Sequence, residues 1–195
     1  MSRPFLLGLT GSVGMGKSTT AAMFAEEGVP VWDADRTVHE LYEKGGAAVA
    51  PIAAVFPSAI IEGAVDRGAL KEILSADKQA LSRLESIVHP LTTASREAFI
   101  ADHRSADLIL LDIPLLFETG ADKSCDATLV VSAPAEVQRA RVLARPGMTE
   151  DQLDFILSRQ MPDADKRARA TYIIETVNLE DTRRDVRNLI AKLRG

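Results

Sequence analysis

Eight consecutive residues, Gly11-Ser12-Val13-Gly14-Met15-Gly16-Lys17-Ser18, carry the clearest chemistry in the sequence. They satisfy the pattern G-x-x-x-x-G-K-[ST] at every fixed position. Glycines let the backbone fold back so that successive N–H groups point inward at phosphate oxygens. The helix that follows adds the positive end of its dipole. Lys17 is placed to reach the β- and γ-phosphates of a nucleoside triphosphate, and the Ser18 hydroxyl to ligate Mg²⁺. Gly11, Gly14, Met15, Gly16, Lys17, Ser18 and Thr19 are therefore the candidate nucleotide-binding residues. A glycine-rich turn without a ligand is the alternative. The context opposes it, because an apolar run precedes the loop and a helical pattern follows, as a phosphate cradle requires.

A second group of residues suits transfer of a phosphoryl group. Asp33 and Asp35 follow an apolar run in Trp32-Asp33-Ala34-Asp35-Arg36. In doubly wound sheets the carboxyl ends of strands face the ligand crevice. A carboxylate there accepts the proton of an acceptor hydroxyl or orients it for in-line attack. The other reading is that one of the two caps a helix beginning near Arg36. Asp112 ends a later strand and suits a Walker-B acid that holds Mg²⁺ through water, or else is a plain strand-end carboxylate. Arg139, Arg141 and Arg145 lie on one helical segment, with Arg141 and Arg145 on a shared face. Arg141 is the candidate to stabilise charge on the transferring phosphoryl; a solvated helix face is the competing account. Arg159, Lys166, Arg167 and Arg169 continue the basic character, mixed with Asp163 and Asp165.

These groups need elements to position them. Near-continuous apolar runs at Phe5–Thr10, Pro30–Trp32, Leu108–Asp112, Thr128–Ser132 and Tyr172–Ile174 read as strands of a parallel sheet covered on both faces. Helical patterns alternate with them at Lys17–Glu27, closed by Gly28, at Ala135–Leu143 and at Leu179–Leu193. That alternation predicts an α/β doubly wound fold. It lapses between about Thr37 and Ser105, where helical runs at Asp66–Leu74 and Lys78–Val88 flank a turn around Pro57–Gly63. Pro90 is expected to kink or start a helix. The stretch reads as a helical insertion, approximately residues 38–104, that builds a substrate pocket. A second excursion, approximately 144–167, holds a helix capped by Thr149 with Gln152 reaching back, and reads as a lid. The whole of 1–195 reads as one folding unit with these two embellishments.

The bulk composition agrees. A 46% hydrophobic and 26% charged chain sits at the globular average. Its net charge of −5 argues against a general nucleic-acid binder, though backbone amides still allow a local anion site. The most apolar stretch, Leu108–Phe117, is too short to span a bilayer and contains Asp112. Cys125 is the single cysteine, so it forms no internal disulfide and fits a reducing cytoplasm. His39, His89 and His103 lack metal-ligand spacing. Nothing suggests an obligate protein partner.

A regulatory GTPase would carry D-x-x-G after the Mg²⁺ strand and N-K-x-D for guanine. Here Asp112 is followed by Ile113-Pro114-Leu115, and N-K-x-D does not occur. The L-S-G-G-Q segment of transporter ATPases is also missing. The helical insertion and arginine-bearing lid favour a small-molecule or nucleotide kinase, whose closing parts exclude water from the transfer. Open beside this are a kinase of the same architecture acting on a nucleoside monophosphate or small metabolite, and a non-catalytic nucleotide switch.

The segments Gly8-Leu9-Thr10-Gly11, Gly16-Lys17-Ser18-Thr19, Trp32-Asp33-Ala34-Asp35, His89-Pro90 and Ile113-Pro114-Leu115-Leu116-Phe117-Glu118 together resemble the dephospho-CoA kinases. So do Gln138 through Arg141, Arg145, Gln160 and Lys166-Arg167. The resemblance covers essentially the whole chain in order, and D-A-D with P-L-L-F-E is more specific than the phosphate loop. It implies a P-loop fold with a five-stranded parallel sheet, and transfer of the γ-phosphate of ATP to the ribose 3′-hydroxyl of 3′-dephospho-CoA. It implies Asp33 as general base, Arg141 as lid arginine, and the insertion as the CoA-binding part with His89 near the substrate; Asp35 is a further candidate substrate residue from its position after the second strand. Thr93 stands where the family often has an arginine, with Arg96 one turn further on.

Overall fold

The structure is a computed structural model that describes residues 3–194. In chain order, β1 (Phe5–Thr10), α1 (Lys17–Glu26) and β2 (Val31–Asp33) precede a run of helices: α2 (Ala34–Tyr42) and α3 (Val49–Val55). A short hairpin, β3 (Ile60–Ile61) and β4 (Ala64–Val65), leads to α4 (Arg67–Ala76) and α5 (Ala80–Asp102). Then come β5 (Leu108–Asp112), β6 (Ala127–Ser132), α6 (Ala135–Leu143), α7 (Glu150–Ser158), α8 (Asp163–Arg169), β7 (Tyr172–Glu175) and α9 (Leu179–Arg194). The chain divides into two compact units: residues up to Trp32 together with His103 onward, and Asp33–Asp102.

In the first unit five strands form a parallel sheet in the order β2-β5-β1-β6-β7. The central β1 pairs with β5 (Leu7 opposite Leu110) and with β6 (Leu9 opposite Leu129), and all four of these leucines are fully buried. Helices on both faces make that possible, because a strand covered on both sides tolerates apolar residues at consecutive positions. Met23 and Phe24 of α1 and Val186 and Leu189 of α9 complete this core. Each fully buried leucine contributes about 1.5–3 kcal/mol of transfer energy.

The second unit is built on its own core of Tyr42, Ile52, Phe56, Val65, Leu70, Leu84 and Val88. Asp66 caps α4, its side chain accepting from the Ala69 N–H at 2.7 Å. The residues expected as a turn at Pro57–Gly63 form a short 3₁₀ turn and the β3–β4 hairpin. Pro90 neither starts nor ends a helix: α5 runs through it for 23 residues. The Thr92 hydroxyl donates to the carbonyls of Val88 (3.1 Å) and His89 (2.9 Å), whereas the carbonyl that loses its intrahelical donor to Pro90 is that of Ser86, four residues back.

In the second excursion of the chain, α7 begins with the capping box predicted from Thr149 and Gln152. The Gln152 N–H donates to Thr149 Oγ1 (3.3 Å) and the Thr149 N–H to Gln152 Oε1 (2.9 Å). No helix of the described residues is long and apolar enough to cross a membrane.

Candidate active site

The turn from β1 into α1 is the loop Gly11–Gly16. Gly14 and Gly16 both have left-handed backbone, with φ of +77° and +83°. A Cβ on Gly14 would lie 2.5 Å from Val142 Cγ2, so glycine is required there twice over. Gly16 is the N-cap of α1 and offers no side chain to the first turn. The leading N–H groups of a helix have no intrahelical acceptor, so this end of α1 presents donors and a positive dipole to an anion. Ser18 and Thr19 are exposed on that first turn.

Neighbouring strands hold the loop in shape. Thr176, buried just past β7, donates from Oγ1 to the Met15 carbonyl at 2.8 Å. The Ala133 N–H points at Met15 Sδ from 3.0 Å, and the Met15 side chain is buried. Both polar groups of Val13 are also taken, its N–H by Gln160 Oε1 and its carbonyl by Gln138 Nε2. Of these residues, Gln138 and Gln160 stand out in the sequence only within the family resemblance. Thr176 carries no sequence signal, because only the tertiary fold brings it under the loop.

Lys17 and Asp112 come together. Nζ lies 2.6 Å from Asp112 Oδ1 where β5 ends beside the loop, and the carboxylate is nearly buried. Arg141, in the last turn of α6, turns its guanidinium onto the segment after β7. It donates to the carbonyls of Thr176 and Val177 and, at 3.2 Å, to Thr176 Oγ1. Arg141 and Arg145 line a cavity of 220 Å³ with Gly14, Gly16, Thr19 and Leu179. Arg139 faces elsewhere, paired with Glu150 and Asp154.

Glu118 closes the Ile113–Glu118 segment on which the family resemblance rests. Its carboxylate accepts from the Met161 N–H at 2.9 Å and lies 2.9 Å from Nζ of Lys166, whose side chain is fully buried. Burial pushes the Glu118 carboxyl up, but the Met161 N–H, Lys166 and its own backbone N–H together hold it below the ordinary value. The return of the second excursion is thus tied to the segment that follows β5.

In the second unit Asp33 is the N-cap of α2, its Oδ1 accepting from the Arg36 N–H at 3.0 Å. The capping alternative is therefore realised for Asp33, and it occupies one of two carboxylate oxygens. Asp35 is exposed in the first turn of the same helix, and His89 is exposed on α5. His39 pairs with Glu43 and His103 is partly buried.

A phosphate loop closing on a lysine, a buried carboxylate at the end of the adjacent strand, and a parallel sheet beneath both define the class: this is a P-loop kinase. The family model described as dephospho-CoA kinase matches residues 5–181. A dephospho-CoA kinase of Cereibacter sphaeroides is 62% identical over 98% of this chain and 97% of its own length. A crystal structure of a Thermus thermophilus protein, 35% identical, superposes with a TM-score of 0.88 over 100% of both chains. That of a dephospho-CoA kinase from Campylobacter jejuni, 24% identical, shares the fold at a TM-score of 0.71 over 97% of this chain and 96% of that one. The chain belongs to the dephospho-CoA kinase family, which phosphorylates 3′-dephospho-CoA with ATP in the last step of coenzyme A biosynthesis.

Proposed function

We propose that the reaction runs on ATP bound as its Mg²⁺ complex at the Gly11–Thr19 loop, with Asp33 as the base for the ribose 3′-hydroxyl. The observation that carries this reading is the Lys17–Asp112 pair, 2.6 Å apart, beside a helix end without a side-chain cap. An incoming triphosphate draws Lys17 away from Asp112 and onto its β- and γ-oxygens. The vacated carboxylate then faces the place where a cation would sit. The exposed Ser18 hydroxyl suits direct ligation of Mg²⁺ and Asp112 suits a hold through water, a sparse ligand set that matches how Mg²⁺ is usually bound with substrate phosphates. When bound, the cation would neutralise charge on the oxygens of the β- and γ-phosphates.

The base of the nucleotide occupies the cavity beside Gly14 and Gly16, and Arg141 supplies positive charge towards the phosphates from its wall. To reach the transferring group, its guanidinium releases the Thr176 and Val177 carbonyls. Asp33 keeps its capping bond through one oxygen and takes the hydroxyl proton with the other, which favours attack in line with the leaving ADP. Residues 38–104 accept dephospho-CoA, with Asp35 and His89 near it, and residues 144–167 close as a lid that excludes water. A cytoplasmic setting suits the lone thiol of Cys125.

The test is a coupled ADP-release assay with ATP and Mg²⁺, comparing 3′-dephospho-CoA with adenosine, AMP, CMP and shikimate. Turnover restricted to dephospho-CoA, with CoA as product, supports the reading. Faster turnover with another acceptor leaves the phosphate site standing and overturns the assignment of the insertion.

A further inference from the structure

Two glutamines from distant parts of the chain converge on one residue of the phosphate loop. Gln138, in the first half of α6, is buried and donates from Nε2 to the Val13 carbonyl at 2.7 Å. Gln160, just past α7, accepts the Val13 N–H on Oε1 at 3.1 Å. The partners fix the sense of both bonds, since a carbonyl only accepts and an N–H only donates. The N–H belongs to the Ser12–Val13 peptide and the carbonyl to the Val13–Gly14 peptide. Two successive peptide planes are therefore pinned, one from the helix that leads into the second excursion and one from within the excursion itself. The pinned residue precedes Gly14, whose left-handed φ of +77° sets the direction of the rest of the loop.

The position of Gln160 is itself fixed. The next residue, Met161, gives its N–H to Glu118, and the same carboxylate faces the buried ammonium of Lys166. Gln160 is thus the link between an anchored lid return and the loop. We infer that Gln138 and Gln160 are positioning residues for phosphate binding: they hold the Val13 peptides as a donor-and-acceptor clamp and couple the lid to the loop's shape. This rests on the reading that Gly11–Ser18 cradles the phosphates. Removing either half lets the Ser12–Gly14 backbone rotate, and misplacement of about 1 Å costs up to about a hundredfold in rate.

The experiment uses the full chain and four single variants, with Lys17→Ala as the reference for loss of the cradle itself. Gln138→Met and Gln160→Met keep size and remove the hydrogen bonds. Each is expected to lower kcat/KM for ATP by about tenfold, the effect of one hydrogen bond to a fixed group, while KM for dephospho-CoA shifts less than about twofold. Gln138→Glu and Gln160→Glu add the same charge on either side of Val13 but differ in chemistry. Glutamate still accepts the Val13 N–H, so Gln160→Glu should rescue most of what Gln160→Met loses. Glutamate cannot donate to the Val13 carbonyl when ionised, so Gln138→Glu should be impaired at neutral pH and recover as its carboxyl is protonated. In the ¹⁵N–¹H spectrum the Val13 amide should move in Gln160→Met and return in Gln160→Glu. Equal behaviour of the two glutamate variants, or wild-type ATP kinetics in both methionine variants, overturns the clamp. Undiminished turnover in Lys17→Ala instead overturns the cradle on which it rests.

Discussion

Lys17 Nζ and Asp112 Oδ1 stand 2.6 Å apart, with the carboxylate side chain 2% and the lysine 15% exposed. The pair keeps two costly charges satisfied beside the Gly11–Gly16 loop. A nearly buried carboxylate deprived of its cation is strongly destabilising, by about 3–5 kcal/mol. On the function proposed above the same contact serves both folding and catalysis, and mutation is expected to separate the two.

Lys17→Ala is expected to reduce turnover by at least about 10²–10³, the usual loss when a charge-stabilising group is removed. It should also lower the melting temperature of the ligand-free protein. Adding Asp112→Asn to it should recover the melting temperature without recovering turnover. Calorimetry and the ADP-release assay on the single and double variants report the two effects independently. Recovery of turnover in the double variant would show that Lys17 acts only by neutralising Asp112.

Asp33→Asn separates capping from catalysis, since asparagine caps helices about as well as aspartate. The variant should fold and melt as the parent does and bind ATP normally. Its kcat should fall by about 10²–10⁴, the range for a positioned general base. An unchanged kcat would leave Asp33 as the cap of α2 and nothing more.

Thr176→Val removes the hydroxyl that donates to the Met15 carbonyl and receives Arg141. The Met15 carbonyl is then left beside a methyl group, at a cost of about 1–3 kcal/mol for an unsatisfied buried acceptor. ATP affinity should weaken about tenfold by titration calorimetry, while Thr176→Ser should retain it. Equal loss in both variants would point to packing under Gly16 rather than to the hydroxyl.

Glu118→Gln leaves the Lys166 ammonium buried opposite a neutral amide and should destabilise by about 3–5 kcal/mol. Glu118→Gln with Lys166→Met should be more stable than Glu118→Gln alone. The pH dependence has a definite sign. Because the carboxyl is held below its ordinary value of 4.5, its contribution is complete above that pH and is lost as pH falls through the lowered folded-state value. Denaturant titrations in acid should show that loss in the parent and not in Glu118→Gln.

Much of this was open to reading along the chain because the signals are local. A phosphate loop is eight contiguous residues, and its glycines are demanded by backbone geometry within the loop itself. The buried strands announce themselves at Leu108–Leu111 and Leu129–Val131, since a two-faced parallel sheet needs unbroken apolar runs. The capping box at Thr149 and Gln152 is likewise a contract between residues three apart.

Pro90 shows where local rules end. Proline removes one donor, yet α5 runs on through it, with Leu84 and Val88 of the same helix buried in the core of the second unit. The β3–β4 hairpin, with only two residues in each strand, is too short to leave a period in the sequence. Asp33 was legible as a carboxylate at a strand end, but whether its oxygen meets the Arg36 N–H depended on the turn into α2.

By itself, the sequence determined the phosphate loop, the strand–helix alternation and the family, all of which rest on contiguous residue types. Only the tertiary structure decided that Lys17 meets Asp112, that Thr176 supports Met15, that Glu118 neutralises a buried Lys166, and that Gln138 and Gln160 grip Val13. Each of these joins residues many positions apart, through distances and angles that no spacing in the chain encodes. Their energies depend on burial, which exists only once the sheet and its helices have closed around them.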